Sequence, residues 1–433
     1  MPARKVLIVT YYWPPCGGSG VQRWLKFVKY LVRLGWEPIV YTPENPSFGI
    51  RDESLLKDVP PEVEVIKLPI WEPYETFFKL SKLAGGKKPA QSDFVTTQKK
   101  SLLQKIAGWV RGNFFIPDAR VFWVKPSVTF LTDFLQSNQI ETVITTGPPH
   151  SMHLIGLKLK KKNTTLKWIA DFRDPWSEWD LLDTFSLSGL ARNLHKRQER
   201  AVLTQASRVI TIAPYHVERL KALSGSQVDL ITNGFDEEDF AGITHAPTDK
   251  FTLRHIGMVD ELRDPMPLMA VIRELCLQRE AFAQSVRVEF IGNVNSAFKN
   301  LVNEDMVLMK VVTFIDPIPH AELLRLYGST DLQLLVLAYT AIAPGNLPGK
   351  FFEYLASGNS ILAIGPVQGD AARVLHETKA GEIFERNDAA GMRASLIHSF
   401  EAWKNRKPSS ARDVSRYTRK NLTLQLIQVL EKI

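Results

Sequence analysis

A glycine-rich segment that carries one lysine and one glutamate has the clearest chemical signature in this sequence. It spans Pro344–Gly358 and contains Asn346, Leu347, Pro348, Gly349, Lys350 and Glu353. Apolar runs on both sides predict buried strands, so the segment is predicted to be a loop that opens a helix. Amides at a helix start bind phosphate, Lys350 adds a full charge, and Glu353 can accept hydrogen bonds from a ribose diol. The segment therefore predicts recognition of a nucleotide or of a nucleotide-activated substrate.

Two other loops are candidates for anion binding. The loop after the first predicted strand contains Gly17, Gly18, Ser19 and Gly20. Its backbone amides can form an anion nest, and the alternative is a tight turn between strand and helix. The loop Gly257–Pro265 follows a later strand, and its Arg263 is well placed to neutralise a leaving diphosphate. The alternative for Arg263 is a surface cap of the next helix.

Polar residues at two further strand ends predict contacts with an acceptor substrate. His150 follows a predicted strand, where it can contact a sugar or position the acceptor; the alternative is a turn that begins a helix with Ser151 as its cap. At the next strand end, Asp171 and Asp174 can bind acceptor hydroxyls, and Arg173 can bind an acceptor phosphate. The alternative there is an Arg–Asp brace that fixes the loop.

The spacing of the metal-ligating residue types predicts no metal site. No Asp-x-Asp sequence occurs, and the nine histidines show no zinc-like spacing. The sequence therefore does not support a diphosphate carried by a metal ion on an Asp-x-Asp motif.

Short β-rich runs, most of them continuously apolar, alternate with helical stretches along the whole chain, as in parallel sheets that helices cover on both faces. The runs in the first half are Val6–Thr10, Glu37–Tyr41, Val63–Leu68, Thr142–Thr145, Lys167–Ala170 and Arg208–Ile212. The runs in the second half are Phe251–Ile256, Val286–Ile291, Val311–Ile315, Leu332–Leu337, Ile361–Ile364 and Glu382–Phe384. The pattern predicts an α/β protein with two Rossmann-like, doubly wound parallel-sheet domains that face a cleft.

The length of 433 residues also favours two domains. The predicted boundaries are residues 1–240 for the first domain and 250–408 for the second, with the polar stretch 233–250 as a linker. A final helical segment follows at 411–433. We expect ligands at the carboxyl ends of the strands, where doubly wound sheets bind them.

The segment 77–125 interrupts the regular alternation of the first domain with many lysines and arginines and few acidic residues. Aromatic residues lie among them: Trp109, Phe114, Phe115, Phe122 and Trp123. A basic surface with aromatic anchors suits an anionic membrane or a lipid phosphate. The alternative is a helical insertion with its aromatic side chains in the core and its lysines in solvent.

Composition and charge limit the compartment and the partners. The formal charge of +8 favours acidic partners, but no nucleic-acid-reading motif is present, so we expect none of that class. Two cysteines give no disulfide framework, and neither a signal peptide nor a membrane-spanning run is evident. These features predict a cytoplasmic protein, with peripheral contact to the inner face of the cell membrane.

The ordered set of motifs resembles the glycosyltransferase family 4-like enzymes of the GT-B fold, over nearly the whole chain. The carriers are Pro14–Gly20, Gly147–Ser151, Asp171–Trp176, Thr232–Asp236 and Pro348–Gly358. The resemblance implies a hexosyltransferase-like enzyme of polysaccharide or lipid-linked oligosaccharide assembly. Its co-substrate would be a nucleotide-diphosphate sugar such as a UDP- or GDP-sugar, and its acceptor a glycan or lipid-linked molecule. Retention of anomeric configuration and the absence of an essential metal or other cofactor are also implied.

The resemblance assigns roles to individual residues. Donor binding belongs to the C-terminal domain, where Glu353 resembles the ribose-binding glutamate and Arg263 stands in place of a phosphate-binding lysine. The amides of Gly17–Gly20 would face the diphosphate or the sugar, and the final helix would return to the N-terminal, acceptor-binding domain. Two positions depart from the family: Gly345 replaces a glutamate that contacts the donor sugar, and Met258 replaces an arginine. Lys350 can restore the lost positive charge.

Two rival functions remain open on the sequence. A sugar-nucleotide epimerase can share this architecture, but it needs acid and base groups at the sugar, and Gly345 offers none. A non-catalytic nucleotide-sugar-binding or scaffold protein would also fit the departures at Gly345 and Met258. For transfer itself, Arg263, Lys350 and the loop amides are predicted to stabilise the departing nucleoside diphosphate.

Overall fold

The computed structural model describes residues 4–47, 49–73, 102–179, 182, 184–406 and 412–433. The chain divides into two compact units. The first unit comprises Met1–Thr232 together with Arg419–Ile433, and the second comprises Asn233–Thr418. Residues 77–101 of the basic segment lie outside the described residues.

The first unit is built on a parallel sheet of seven strands in the order β3-β2-β1-β4-β5-β6-β7. The strands are β1 Arg4–Val9, β2 Trp36–Pro43, β3 Val65–Leu68, β4 Thr142–Gly147, β5 Lys167–Phe172, β6 Arg208–Thr211 and β7 Val228–Leu230. Residues Val6–Val9 are fully buried because helices cover both faces of the sheet. Strand β7 is the one strand of this sheet that the sequence did not predict.

Helices fill the connections of the first unit. They are Ser19–Arg33, Leu102–Phe114, Val121–Ser137, Ser151–Lys162, Gly189–Gln205, Pro214–Ser224 and Arg419–Leu430, with a 3₁₀ turn at Glu53–Asp58. The final helix belongs to this unit because Leu422 and Leu426 pack into the same core as Trp24 and Leu25.

The second unit has a six-stranded parallel sheet in the order β10-β9-β8-β11-β12-β13. The strands are β8 Phe251–Ile256, β9 Val286–Ile291, β10 Val312–Ile315, β11 Leu332–Val336, β12 Ser360–Ile364 and β13 Gly381–Phe384. The helices are Glu237–Phe240, Met266–Gln278, Glu280–Ser285, Ser296–Glu304, Leu308–Val311, His320–Tyr327, Gly349–Ala356, Asp370–Thr378 and Ala389–Lys404, with 3₁₀ turns at Ala343–Gly345 and Ser415–Tyr417.

Both sheets are doubly wound, so the predicted fold class is confirmed. In the first unit the chain reverses its direction of travel across the sheet between β1 and β4, and in the second between β8 and β11. Such switch points leave a crevice outside the carboxyl ends of the strands, where ligands bind. The loops that follow β1, β4, β8 and β11 are therefore the parts of each unit best placed to hold a ligand. Among the described residues, no helix is long and apolar enough to cross a membrane.

Gln333 lies in the middle of β11 with no exposed surface, and neither its amide nitrogen nor its amide oxygen has a hydrogen-bond partner in the described part of the chain. A buried, unsatisfied polar group costs about 1–3 kcal/mol. We therefore expect Gln333→Met, which keeps the volume and removes the polar atoms, to raise the free energy of unfolding by about 1–2 kcal/mol. Urea denaturation of the two proteins measures this difference. Unchanged or lower stability of the variant would contradict this expectation.

Candidate functional site

The side chain of Lys350 reaches from the first turn of the helix Gly349–Ala356 to the loop after β8. This brings it to the β8–β11 switch point of the second unit. A Cβ atom added to Gly257 would lie 3.0 Å from the Lys350 ammonium nitrogen, so a side chain at position 257 would displace the end of the lysine. Gly257 also has a φ of +123°, which L-residues with side chains rarely adopt. Two strand-end motifs that are far apart in sequence thus meet at one point.

His255 fixes the end of the Lys350 side chain. Its Nδ1 lies 3.0 Å from the carbonyl oxygen of Leu334 and its Nε2 lies 3.4 Å from that of Met258, so the shorter contact favours the hydrogen on Nδ1. Burial lowers the pKa of His255 well below its usual value, so the ring is neutral and its Nε2 is an acceptor. The Lys350 Nζ lies 3.3 Å from this Nε2.

The Lys350 ammonium is poised to lose its proton near neutral pH. Burial, and secondly the neighbouring charge of Arg263, lower the pKa of Lys350 to about 7, while Asp260 acts in the opposite direction. An anion placed beside Lys350 would favour the charged form and raise this pKa again. In the free protein, Lys350 is therefore partly neutral near pH 7, and it becomes fully charged when an anion binds beside it.

Arg263 lies near Lys350 and is held there by Asp260. The Arg263 Nη1 lies 2.6 Å from Asp260 Oδ2, and Oδ1 of Asp260 accepts the backbone amides of Leu262 and Arg263. Asp260 is buried and so shapes the loop, whereas about a third of the Arg263 side chain remains exposed. Arg263 is therefore positioned by the loop and still open to a ligand.

The helix Gly349–Ala356 begins without a side-chain cap, since Pro348 precedes it. A Cβ atom on Gly349 would meet nothing within 4 Å, so the space before this helix start is open. The loop that leads to it is firmly held: Leu347 is buried, and its carbonyl oxygen accepts a hydrogen bond from Asn233 Nδ2 at 3.2 Å. Asn346 donates its amide to the Ala343 carbonyl at 3.0 Å. Uncapped amides of this kind can bind phosphate oxygens.

The carboxylate of Glu353, one turn after Lys350 along the chain, contacts two side chains from one other helix. Its Oε2 accepts from the Tyr327 hydroxyl at 2.8 Å, and its Oε1 lies 3.0 Å from His320 Nε2. About one-fifth of the Glu353 and His320 side chains remains exposed. Gly345, where the resembled family has a glutamate, is buried in the 3₁₀ turn and brings no carboxylate.

In the first unit, the glycine loop after β1 precedes the helix Ser19–Arg33. The Gly17 amide donates to the Ile50 carbonyl at 3.0 Å, and Gly18, which precedes this uncapped helix, has a φ of +87°. A Cβ atom on Gly18 would meet nothing within 4 Å, whereas one on Gly20 would lie 3.0 Å from the Tyr12 ring. The helix start at Ser19 therefore has open space before it, as at Gly349.

Asp171 is fully buried, and its carboxylate contacts three side chains of the first unit. Arg23 donates to it from Nε at 3.2 Å and from Nη2 at 3.0 Å, Trp24 Nε1 donates at 2.7 Å, and Thr146 Oγ1 donates at 2.9 Å. An Arg–Asp pair is therefore present, but its arginine is Arg23 of a neighbouring helix and not Arg173 of the same loop. These contacts indicate that Asp171 stabilises the loop, and acceptor binding by Asp171 stays a prediction.

Arg173 joins the loops that follow β1 and β4. It donates from Nη1 to the Gly20 carbonyl at 3.0 Å, from Nε to the Gly147 carbonyl at 3.3 Å, and from Nη2 to the Pro148 carbonyl. Burial lowers the pKa of Arg173, which Asp171 and then Asp174 counteract. Asp174 is half-buried beside it.

His150 lies beside the same loops. Its ring stacks on Trp176, with 5.1 Å between the ring centroids, and only 3% of the residue is exposed. Neither ring nitrogen has a hydrogen-bond partner among the residues that the structure describes. Burial lowers the pKa of His150 well below its usual value, so the ring is neutral. Trp176 is itself fixed, because its amide donates to Glu199 and its indole donates to His195.

The structure thus brings the predicted residues together in two groups, one in each unit. Lys350, Arg263, Gly349 and Glu353 belong to neighbouring elements at the switch point of the second unit. The second group comprises Gly20, Arg173, Asp171 and His150. Within the described ranges, no three His, Cys, Asp or Glu side chains cluster as a metal ion would require.

Three residues of the second unit were missed. His255 lies inside the buried strand β8, and Tyr327 lies at the end of a helix, so neither has a local signal. His320 begins a helix after a strand-end loop, which is the one feature that could have identified it.

No protein-family model and no curated protein matches the sequence, whereas solved structures match it over nearly its whole length. An alpha,alpha-trehalose-phosphate synthase (UDP-forming) from Burkholderia xenovorans, in complex with glucose-6-phosphate, is 10% identical with a TM-score of 0.64; the match covers 99% of this chain and 100% of that one. WaaG, a glycosyltransferase involved in lipopolysaccharide biosynthesis, is 13% identical with a TM-score of 0.56 and coverages of 97% and 99%. A putative UDP-N-acetylglucosamine 2-epimerase from Listeria monocytogenes is 12% identical with a TM-score of 0.56 and coverages of 99% and 96%.

At these identities the similarity concerns the fold. The chain has the two-domain GT-B fold that nucleotide-sugar glycosyltransferases adopt. The resemblance seen in the sequence motifs is confirmed at this level.

Proposed function

We propose that this chain, with its GT-B fold, transfers a sugar from a nucleotide-diphosphate sugar to a glycan or lipid-linked acceptor, with retention of configuration and without an essential metal. The observation that carries the proposal is the position of Lys350, between an open helix start and the glycine of the β8 loop. Arg263 lies within electrostatic reach of it, and Glu353 follows one turn later. This arrangement suits a diphosphate with a ribose attached.

Binding of the donor would use the second unit. The diphosphate lies against the amides at the start of the helix Gly349–Ala356, where Lys350 and Arg263 neutralise its charge. Asn346, Leu347 and Pro348 form the loop that positions this helix start. Glu353 accepts the ribose hydroxyls.

Transfer breaks the bond between the sugar's anomeric carbon and the β-phosphate oxygen, and forms a bond from that carbon to the acceptor oxygen. The acceptor proton passes to an oxygen of the departing diphosphate on the same face, which gives retention. Lys350 and Arg263 stabilise the charge that develops on the leaving diphosphate, so no carboxylic acid is needed there. Gly345 is compatible with this route.

The first unit would bind the acceptor. Asp174 and Arg173 are proposed to contact its hydroxyls or phosphate, while Asp171 positions the loop through Arg23. His150 is proposed to position the acceptor through its stacking on Trp176, because only 3% of the residue is exposed and both ring nitrogens are buried. The amides of Gly18, Ser19 and Gly20 are proposed to face the donor sugar or its diphosphate, whereas the Gly17 amide, which donates to the Ile50 carbonyl, holds the loop in place.

Contact with an anionic membrane is the proposed source of a lipid-linked acceptor. Aromatic side chains around the helix Leu102–Phe114 are exposed rather than packed in the core: Trp71, Trp109, Phe114 and Phe122. Lys105 and Lys125 are exposed in the same region, whereas Trp123 is buried. Sedimentation with phosphatidylglycerol vesicles, but not with phosphatidylcholine vesicles, supports this contact; recovery in the supernatant with both opposes it.

An epimerase is the second candidate, because a putative UDP-N-acetylglucosamine 2-epimerase shares the fold. Epimerisation needs acid and base groups beside the sugar, and position 345 provides none. Incubation of sugar nucleotides with and without acceptors separates the two functions. A transferase releases nucleoside diphosphate and depends on the acceptor, whereas an epimerase converts the sugar nucleotide alone. Binding without consumption across many acceptors would favour a scaffold protein.

The experiment for the proposed function is a thermal-shift screen of the full chain with UDP- and GDP-sugars, followed by transfer assays. A ligand of the native state raises the melting temperature. We expect one sugar nucleotide to stabilise the protein, its transfer to persist in EDTA, and the product to keep the donor's anomeric configuration by NMR. Absence of stabilisation by every sugar nucleotide would contradict the proposal.

A further inference from the structure

The two oxygens of the Glu353 carboxylate contact donors that differ in burial. Tyr327 is fully buried, and its hydroxyl contacts Oε2 at 2.8 Å. Burial, and secondly the charge of Glu353, raise the pKa of Tyr327 well above its usual value, so this donor keeps its proton. His320 contacts Oε1 at 3.0 Å from a side chain that is one-fifth exposed. The donor to Oε1 is therefore the more exposed of the two.

His320 and Tyr327 are the first and last residues of one helix, seven positions apart, which places them on the same helix face. Residues outside this helix hold its C-terminal end, at Tyr327. The buried Arg254, paired with Glu289 at 2.5 Å, donates to the Leu326 carbonyl at 2.7 Å. Asn359 Nδ2 donates to the Tyr327 carbonyl at 2.8 Å. These hydrogen bonds fix the helix that carries both donors to Glu353.

The last torsion of a glutamate side chain has a broad, roughly two-fold energy profile, so a single hydrogen bond leaves the carboxylate plane poorly defined. Contacts to both oxygens define it. A ribose diol, whose two hydroxyls donate side by side, is recognised best by a carboxylate whose plane is already set. His320 supplies the second of these contacts.

We propose that His320 is a positioning residue for ribose recognition. His320 holds Oε1 while Tyr327 holds Oε2, and the two contacts together orient the Glu353 carboxylate for the vicinal ribose hydroxyls. This orientation determines the preference for ribonucleotides over 2′-deoxyribonucleotides. The inference rests on the proposed function, since it concerns the ribose of the same donor. The contact needs a hydrogen on Nε2, which the neutral ring provides in one tautomer and the protonated ring provides always.

The test is the ratio of dissociation constants for UDP against dUDP and for GDP against dGDP, measured by calorimetry on the full chain. Hydrogen bonds to charged groups contribute enough to make the wild-type preference for the ribose form about 10-fold or more. We expect His320→Ala to weaken binding of the ribose form by about 10-fold and to bring the ratio close to one. His320→Gln, whose amide nitrogen can take the place of Nε2, should keep most of the preference.

Inorganic pyrophosphate separates this role from a general defect, because it has no ribose. We expect its affinity to be the same in wild type, His320→Ala and His320→Gln. The inference is overturned if His320→Ala keeps the wild-type ratio, if it binds the ribose form more tightly because His320 competes with the ligand, or if it loses pyrophosphate binding as well. Failure of the wild type to bind either ribonucleotide would instead contradict the proposed function itself.

Discussion

Replacement of Lys350 by alanine is expected to lower turnover by about 100-fold or more, because the ammonium group stabilises the charge that forms on the leaving diphosphate. Removal of one preorganised donor from such a site costs about 10²–10³ in kcat. Arg263→Ala is expected to lose most turnover too, although Arg263 already shares its charge with Asp260 at 2.6 Å. Release of nucleoside diphosphate in the presence of acceptor measures both effects.

Lys310→Ala is the matched control for this prediction. Lys310 lies in the same unit but is exposed, in the short helix Leu308–Val311, so its replacement should leave turnover unchanged. If Lys350→Ala and Arg263→Ala both retain wild-type turnover, the cationic clamp does not exist. A loss with Lys310→Ala as well would point to net charge rather than to this site.

Lys350→Met is expected to stabilise the folded protein, and more strongly at pH 6 than at pH 9. Burial lowers the pKa of Lys350 to about 7, whereas the unfolded chain keeps its ordinary value. Below pH 7 the lysine is charged in both states, so folding bears the full cost of burying the charge. Between pH 7 and about 10.5 the unfolded state binds more protons, and wild-type stability rises relative to the variant.

The increase in the free energy of unfolding that Lys350→Met produces should therefore be about 2 kcal/mol smaller at pH 9 than at pH 6. Each unit of pKa shift corresponds to about 1.4 kcal/mol, and the partial exposure of the side chain reduces the effect. Urea denaturation at both pH values measures it. A difference between the two proteins that does not change with pH would mean that Lys350 keeps its ordinary pKa in the fold.

The sheets could be predicted from sequence because their strands are buried on both faces. Runs such as Val6–Val9 and Ile361–Ile364 are apolar throughout, so they can be recognised as strands without any knowledge of their neighbours. Strand β7 was missed for the opposite reason: Val228–Leu230 has only three residues, one of them aspartate, and it pairs at the edge of its sheet. A run that short has no periodicity to detect.

The candidate site could be predicted in part, because strand ends and helix starts are local features. Lys350, Glu353 and Arg263 were found in this way, and their roles stay predictions. The contacts that orient these side chains could not be predicted from the sequence. His255 is 95 positions from Lys350, and His320 is 33 positions from Glu353, so only the folded chain brings each pair together. The burial that lowers the pKa of Lys350 is likewise a property of the fold.

Proton uptake on nucleotide binding tests the central claim most directly, that Lys350 and the helix start at Gly349 bind a diphosphate. UDP and GDP are titrated into the full chain by calorimetry at pH 8, in two buffers with different ionisation enthalpies. At this pH the free Lys350 is mostly neutral, and a bound diphosphate raises its pKa, so we predict binding with uptake of close to one proton, and at least 10-fold weaker binding without uptake for Lys350→Met. Equal affinity and equal proton uptake in the two proteins would contradict the account.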